Sequence, residues 1–94
     1  MNKKVSRIDF ANKFLKQQSK APFEIKRAWI KRLALFNQNP FHSQLKNHAL
    51  TGQFKGRRSI NITGDWRAIY MEHKGRTGTV IVFELLGTHS QLYK

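Results

Sequence analysis

The chain has 94 residues, with 18 Lys and Arg against 5 Asp and Glu, giving a formal net charge of +13. Hydrophobic residues make up 39% and aromatics 12%, enough for one modest core in a single domain over residues 1–94, which excludes a wholly disordered chain. The absence of cysteine excludes disulfides, thiolate metal sites and cysteine nucleophiles, and no uninterrupted apolar run exceeds four residues, as in Val80 to Phe83, far short of a membrane span.

Met1-Asn2-Lys3-Lys4 is basic but no apolar signal core follows it, so a cytoplasmic protein is expected. Val5 to Phe10 is strand-like, and a polar, helix-compatible stretch with Phe14 and Leu15 runs from about Asp9 to Ser19. Pro22 suits the first turn of a second helix, where its missing N–H costs nothing. Ile25, Trp29, Leu33 and Phe36 then recur at i, i+4, i+8 and i+11, one apolar stripe on a helix over 22–36. Phe41 to Phe54 has no clean period and reads as a long connecting loop, a place where function often sits.

From residue 57 the period changes to two. Arg57 to Thr63 alternates, with Ile60 and Ile62 on one face and Ser59, Asn61 and Thr63 on the other. Gly64-Asp65 supplies a hairpin turn, Trp66 to Glu72 the return strand, and His73 to Gly78 a second turn. Thr79 to Leu86, rich in β-branched and aromatic residues, is the most strand-like segment, and residues 88–94 form a short tail or helical turn. The expected fold is α+β: two N-terminal helices on one face of a mostly antiparallel sheet of about four strands, the other face open for a site.

So high a charge on so small a body points to a polyanionic or acidic partner, and the spread of basic residues indicates a folded basic face rather than a tail. Of the four histidines, no pair has helical metal-ligand spacing, so no metal is expected. His48, His89 and Asp65, with several arginines, are the groups a metal-free ribonuclease needs. One group deprotonates the ribose 2′-OH, another protonates the 5′-oxygen, and cations stabilise the phosphorane. Histidine suits either proton role. Plainer readings stand beside this: Trp66 as a core cover, Asp65 as turn chemistry, His48 as a surface residue, Tyr93 packed back on the sheet. Arg57 and Arg58 adjoin in a strand, so at most one of them faces the site.

Four blocks together carry a resemblance: His48-Ala49-Leu50-Thr51-Gly52; Phe54-Lys55-Gly56-Arg57-Arg58-Ser59; Gly64-Asp65-Trp66-Arg67-Ala68-Ile69-Tyr70; and Gly87-Thr88-His89-Ser90-Gln91-Leu92-Tyr93. In order and spacing they resemble the RelE/ParE toxin superfamily, and most of all its YafQ-like branch of mRNA interferases. The resemblance implies a RelE-like fold and the toxin of a type II toxin–antitoxin pair. It implies a ribosome-dependent endoribonuclease that cuts mRNA in the ribosomal A site without a metal or other cofactor, and an acidic antitoxin as partner.

Carried over position by position, it makes His89 the main proton-transfer group and His48 and Asp65 the candidates for base or base-orienting group. Trp66 or Tyr93 would stack on a nucleobase. Lys46, Lys55, Arg57, Arg58 and Arg67 would meet phosphate or ribosomal RNA, and Asn61 stands where the branch often has histidine. Leu85 stands where a basic residue is often found, two positions before Gly87. Two other classes compete: a ParE-type toxin that binds DNA gyrase without catalysis, and a basic RNA- or ribosome-binding module that does not cut.

Overall fold

The structure, a computed structural model, describes residues 5–93. Strand β1 (Val5–Phe10) leads into helices α1 (Asn12–Lys20) and α2 (Phe23–Gln38). Pro22 precedes α2 as its cap residue rather than lying inside its first turn. Then come β2 (His48–Ala49), β3 (Arg58–Asn61), β4 (Trp66–Lys74), β5 (Thr79–Thr88) and a four-residue helix α3 (His89–Leu92). The expected 41–54 loop is thus more ordered than its sequence suggests: two 3-10 turns, Ser43–Leu45 and Gly52–Phe54, flank the two-residue strand β2.

One five-stranded sheet has the order β1-β5-β4-β3-β2. β1 runs parallel to β5 and every other pairing is antiparallel. The strand beyond the expected four is β2, which pairs His48 with Ser59 and Ala49 with Arg58. The helices bury one sheet face. Ile25, Trp29 and Phe36 of α2, with Phe14 of α1, meet Ile60, Ala68, Tyr70, Ile81, Phe83 and Leu86 of the sheet. Aromatic rings dominate this layer: Trp29 lies edge-on to Phe83 at 5.0 Å, and Phe36 meets Tyr70 at 5.2 Å. Such pairs add about 0.5–1.5 kcal/mol each beyond the area they bury.

A bulge interrupts β5. Ile69 pairs with Leu85 but Tyr70 pairs with Phe83, so Glu84 is an extra residue with no partner on β4. The bulge resets the alternation, which is why Phe83 and Leu86, three apart, both reach the helix-side core. β1 ends opposite Phe83, leaving the β5 edge beyond it without a strand. Gln17 of α1 covers that edge, its Oε1 accepting from the Leu86 N–H at 2.7 Å.

The second sheet face is less open than expected. Leu50 and Leu92 bury Ile69 there, and Phe54, Leu85 and Tyr93 close around them. The 50–57 segment and α3 therefore meet across this face, and candidate site residues stand around their contact. No helix among the described residues is long and apolar enough to cross a membrane.

Candidate functional site

His48 is fixed by the backbone just before it. Lys46 ends the Ser43–Leu45 turn in the left-handed conformation, φ 48° and ψ 44°. Among the described non-glycine residues it is alone in having a positive φ, a conformation that costs a side-chain-bearing residue about 1–2 kcal/mol. Its carbonyl oxygen lies 2.9 Å from His48 Nδ1. A carbonyl oxygen can only accept, so Nδ1 carries a hydrogen, and in the neutral ring the free lone pair is then on Nε2. Asn47, between them, points inward, donating to the Pro40 carbonyl (2.9 Å) and the Tyr70 hydroxyl (2.7 Å) and accepting from Arg58 Nε (2.9 Å). Burial raises the Tyr70 phenol above its ordinary value, an effect that the Asn47 hydrogen bond and the Arg58 charge partly offset.

His89 is the first residue of α3. Thr88 caps this helix in a reciprocal box: its Oγ1 accepts from Gln91 N at 3.2 Å, and Gln91 Oε1 accepts from Thr88 N at 2.9 Å. The His89 N–H donates to the Asp65 carbonyl at 3.1 Å, tying α3 to the β3–β4 turn. The Tyr93 ring stacks on the His89 ring at 4.6 Å and 28°, and meets Phe54 edge-on at 5.2 Å. The contacts of Tyr93 are thus those of a brace for the imidazole, close to the packing alternative. Asp65 and His89 come together at one end of the sheet, both exposed.

His48 stands at the other margin of the same face. The register runs His48, Ser59, Ile69, Leu85 across four strands, which puts about 14 Å of sheet between the backbone of His48 and that of β5. Asn61 and Arg67 pair on this face, between the margins. Arg67 Nη1, however, donates to the Gly64 carbonyl at 2.9 Å, so its guanidinium braces the hairpin turn. Lys46 and Lys55 are exposed on the flanking turns.

Arg58 opens β3 and Arg57 directly precedes it, and the two side chains reach different partners. Arg57 Nε meets Glu84 Oε1 at 2.6 Å. Arg58 lies on the helix side, bonded to Asn47 and 5.2 Å over the Phe41 ring, so it does not join the histidines. Trp66 shares the parity of Ala68 and Tyr70 and packs half-buried against the helix-side core, which is the core-cover alternative; it too is turned from the histidine face. A cavity of about 860 Å3 lined by Phe41, Arg58, Tyr70 and Lys74 likewise lies on the helix side. No group of three His, Asp or Glu side chains converges among the described residues.

Sequence reasoning passed over Glu84, Gln17 and the Thr88–Gln91 box. The last had a signal, Thr-x-x-Gln directly after a strand. Glu84 had a weaker one, a lone acid within an apolar strand.

The comparisons with known proteins agree with this architecture. A family model described as "Bacterial toxin of type II toxin-antitoxin system, YafQ" matches residues 3–94. The mRNA interferase toxin YafQ of Escherichia coli K12 is 32% identical over 65 residues, 69% of this chain and 66% of that protein. The crystal structure of YafQ from E. coli BL21(DE3) superposes with a TM-score of 0.68 at 25% identity, over 93% of this chain and 97% of that one. YafQ in the E. coli DinJ-YafQ complex matches with a TM-score of 0.66 at 26% identity, over 93% and 97% of the two chains. With its sheet order, helix layer and near-complete match in hand, this chain belongs to the YafQ family of bacterial toxins of type II toxin–antitoxin systems.

Proposed function

We propose that the protein is an endoribonuclease that cuts mRNA in the ribosomal A site by metal-free acid–base catalysis, and that an acidic antitoxin neutralises it. The observation that carries this reading is the His48 hydrogen bond to the Lys46 carbonyl. In the neutral ring this contact directs the proton-accepting lone pair to His48 Nε2, on the face whose far margin holds His89.

The groups then have distinct tasks. His48 Nε2 takes the proton of a ribose 2′-OH, and the 2′-oxygen attacks the adjacent phosphorus. The P–O5′ bond breaks and His89 delivers a proton to the 5′-oxygen, leaving a 2′,3′-cyclic phosphate and a 5′-hydroxyl. Asp65 places a carboxylate at the His89 end and is the alternative proton acceptor. Asn61, between the margins, offers an amide to the sugar or base. Lys46, Lys55 and Arg57 meet phosphates; Arg67, Arg58, Trp66 and Tyr93 act mainly by holding the frame. A similar E. coli protein is found in the DinJ-YafQ toxin-antitoxin complex, and a net charge of +13 suits an acidic partner.

The test uses translating ribosomes on a defined mRNA, with cut ends mapped for the wild type and His89→Ala. Cuts phased with codons, requiring ribosomes and absent in the variant, support the reading. No cutting by a wild type that still arrests growth moves the assignment to a binding toxin, with DNA gyrase as the next target.

A further inference from the structure

We infer that Glu84 is a positioning residue, holding Arg57 as the guanidinium that grips an RNA phosphate on the histidine face. The inference deepens the proposed nuclease reading and rests on it. Three arginines lie on or beside β3 and β4 near this face, and the structure separates them. Arg58 points to the helix side and is bonded to Asn47. Arg67 is bonded to the turn carbonyls of Gly64 and Thr63. Arg57 remains, and shares the parity of Ser59 and Asn61 on the histidine face.

Arg57 is held in a particular way. Arg57 directly precedes β3, and β4 lies between β3 and β5 in the sheet, so its side chain crosses β4 to reach Glu84 on β5. Glu84 is the bulge residue, without a cross-strand partner on β4. The contact uses Nε of Arg57 and a single carboxylate oxygen, at 2.6 Å. The two terminal nitrogens, with four N–H donors, stay available for the forked contact that guanidinium makes with phosphate. Both side chains keep some exposure, 33% and 26%, so the pair sits where a polyanion can reach it.

The sign of the charge supports the same role. The chain has 5 Asp and Glu in all, and an acid on a face that binds a polyanion opposes binding by itself. Its presence is accounted for by what it does to Arg57: a long, flexible side chain is fixed before the substrate arrives, so less ordering is lost on contact. Leu85, which the family resemblance expects to be basic, is the next residue and is packed into the apolar cluster.

The experiment measures kcat/KM for cleavage on programmed ribosomes with wild type, Arg57→Ala, Glu84→Ala, Glu84→Gln and the double alanine variant. Melting temperatures are measured in parallel. Arg57→Ala is expected to lose about 10- to 100-fold, the worth of one charge-assisted phosphate contact. Glu84→Ala is expected to lose about tenfold through misplacement of Arg57. Glu84→Gln keeps an acceptor for Nε and recovers most of that loss. In the Arg57→Ala background, Glu84→Ala should cost nothing further.

Equal losses from Glu84→Ala in both backgrounds, or a gain in rate when the carboxylate is removed, would overturn the inference while the nuclease reading stands. No cleavage by wild type overturns the nuclease reading and the inference with it.

Discussion

Removing the Thr88 hydroxyl should disarm the site while leaving the core intact. α3 has four residues and carries His89, and so short a helix has no stability of its own. Ordering four residues costs about 4–8 kcal/mol of backbone entropy. Against this stand the burial of Leu92, which is 8% exposed and contributes about 1.5–3 kcal/mol, and the Tyr93–Phe54 edge contact, about 0.5–1.5 kcal/mol. The His89 N–H bond to the Asp65 carbonyl adds about 0.5–1.5 kcal/mol, and the Thr88 cap about 1 kcal/mol. The terms nearly cancel, so the cap decides how much of the population has α3 docked.

Thr88→Ala, losing about 1 kcal/mol of cap, shifts the docking equilibrium about fivefold and, from a near-even balance, should lower the docked population and the cleavage rate together by about threefold. Hydrogen exchange at the amides of Gln91 and Tyr93 should speed up as the undocked fraction grows. The urea midpoint of the sheet and helix core should barely move, because Thr88 sits at the end of β5 outside that core. Thr88→Ser keeps the oxygen and should restore both readouts. If the rate falls with unchanged exchange at Gln91 and Tyr93, the cap does not control His89 and the reasoning fails.

Other consequences follow from the same contacts. Gln17→Leu leaves the Leu86 N–H, at a residue 2% exposed, without its acceptor; the cost should be about 1–3 kcal/mol in urea unfolding, and an unchanged midpoint would mean that another group covers the β5 edge. For Tyr70, burial is the main cause of a phenol raised above 10.0. The folded state therefore holds this proton more tightly than the unfolded chain, so stability is intact below about pH 10 and is lost as pH rises from there toward the folded value. Tyr70→Phe should cost about 1 kcal/mol at neutral pH and make the alkaline loss shallower; equal losses in both proteins between neutral and alkaline urea titrations would refute the assignment. A base that must be free and an acid that must be protonated should give a cleavage rate that rises and then falls with pH. With chemistry rate-limiting, a flat profile from about pH 5 to 8 would rule out histidine in both roles.

What could be read in the sequence was what repeats. α2 was legible because Ile25, Trp29, Leu33 and Phe36 recur at the helical period, and β3 to β5 because their alternation and turn residues agree. β2 was not, since two residues have no period and its strand character exists only through pairing with Ser59 and Arg58. The cover on the second sheet face was equally hidden. Leu50, Ile69 and Leu92 come from three separate segments, and only the fold makes them one cluster. Parity arguments reached the separation of Arg57 from Arg58. They could not reach the bulge at Glu84, which shifts parity along β5 with no glycine or proline to mark it. Trp66 was legible as part of its block, but that its side chain packs half-buried against the helix-side core is visible only in the fold.

The two histidines proposed for proton transfer were legible as candidates, but their mounting was not. His48 sits on a two-residue strand and His89 on a four-residue helix. Each is aimed by backbone groups: the Lys46 carbonyl sets which nitrogen of the neutral His48 ring is free, and the Asp65 carbonyl holds the first amide of α3. Backbone carbonyls do not depend on the identity of the side chains that carry them. Lys46 and Asp65 can therefore contribute to the site twice, once through a main-chain oxygen that any residue would offer and once through a charge. Alanine at Lys46 removes the charge and leaves the carbonyl, so it reports on RNA contact alone. Proline at Lys46 cannot adopt a φ of 48°, so it moves the carbonyl away from His48 and tests the proton acceptor.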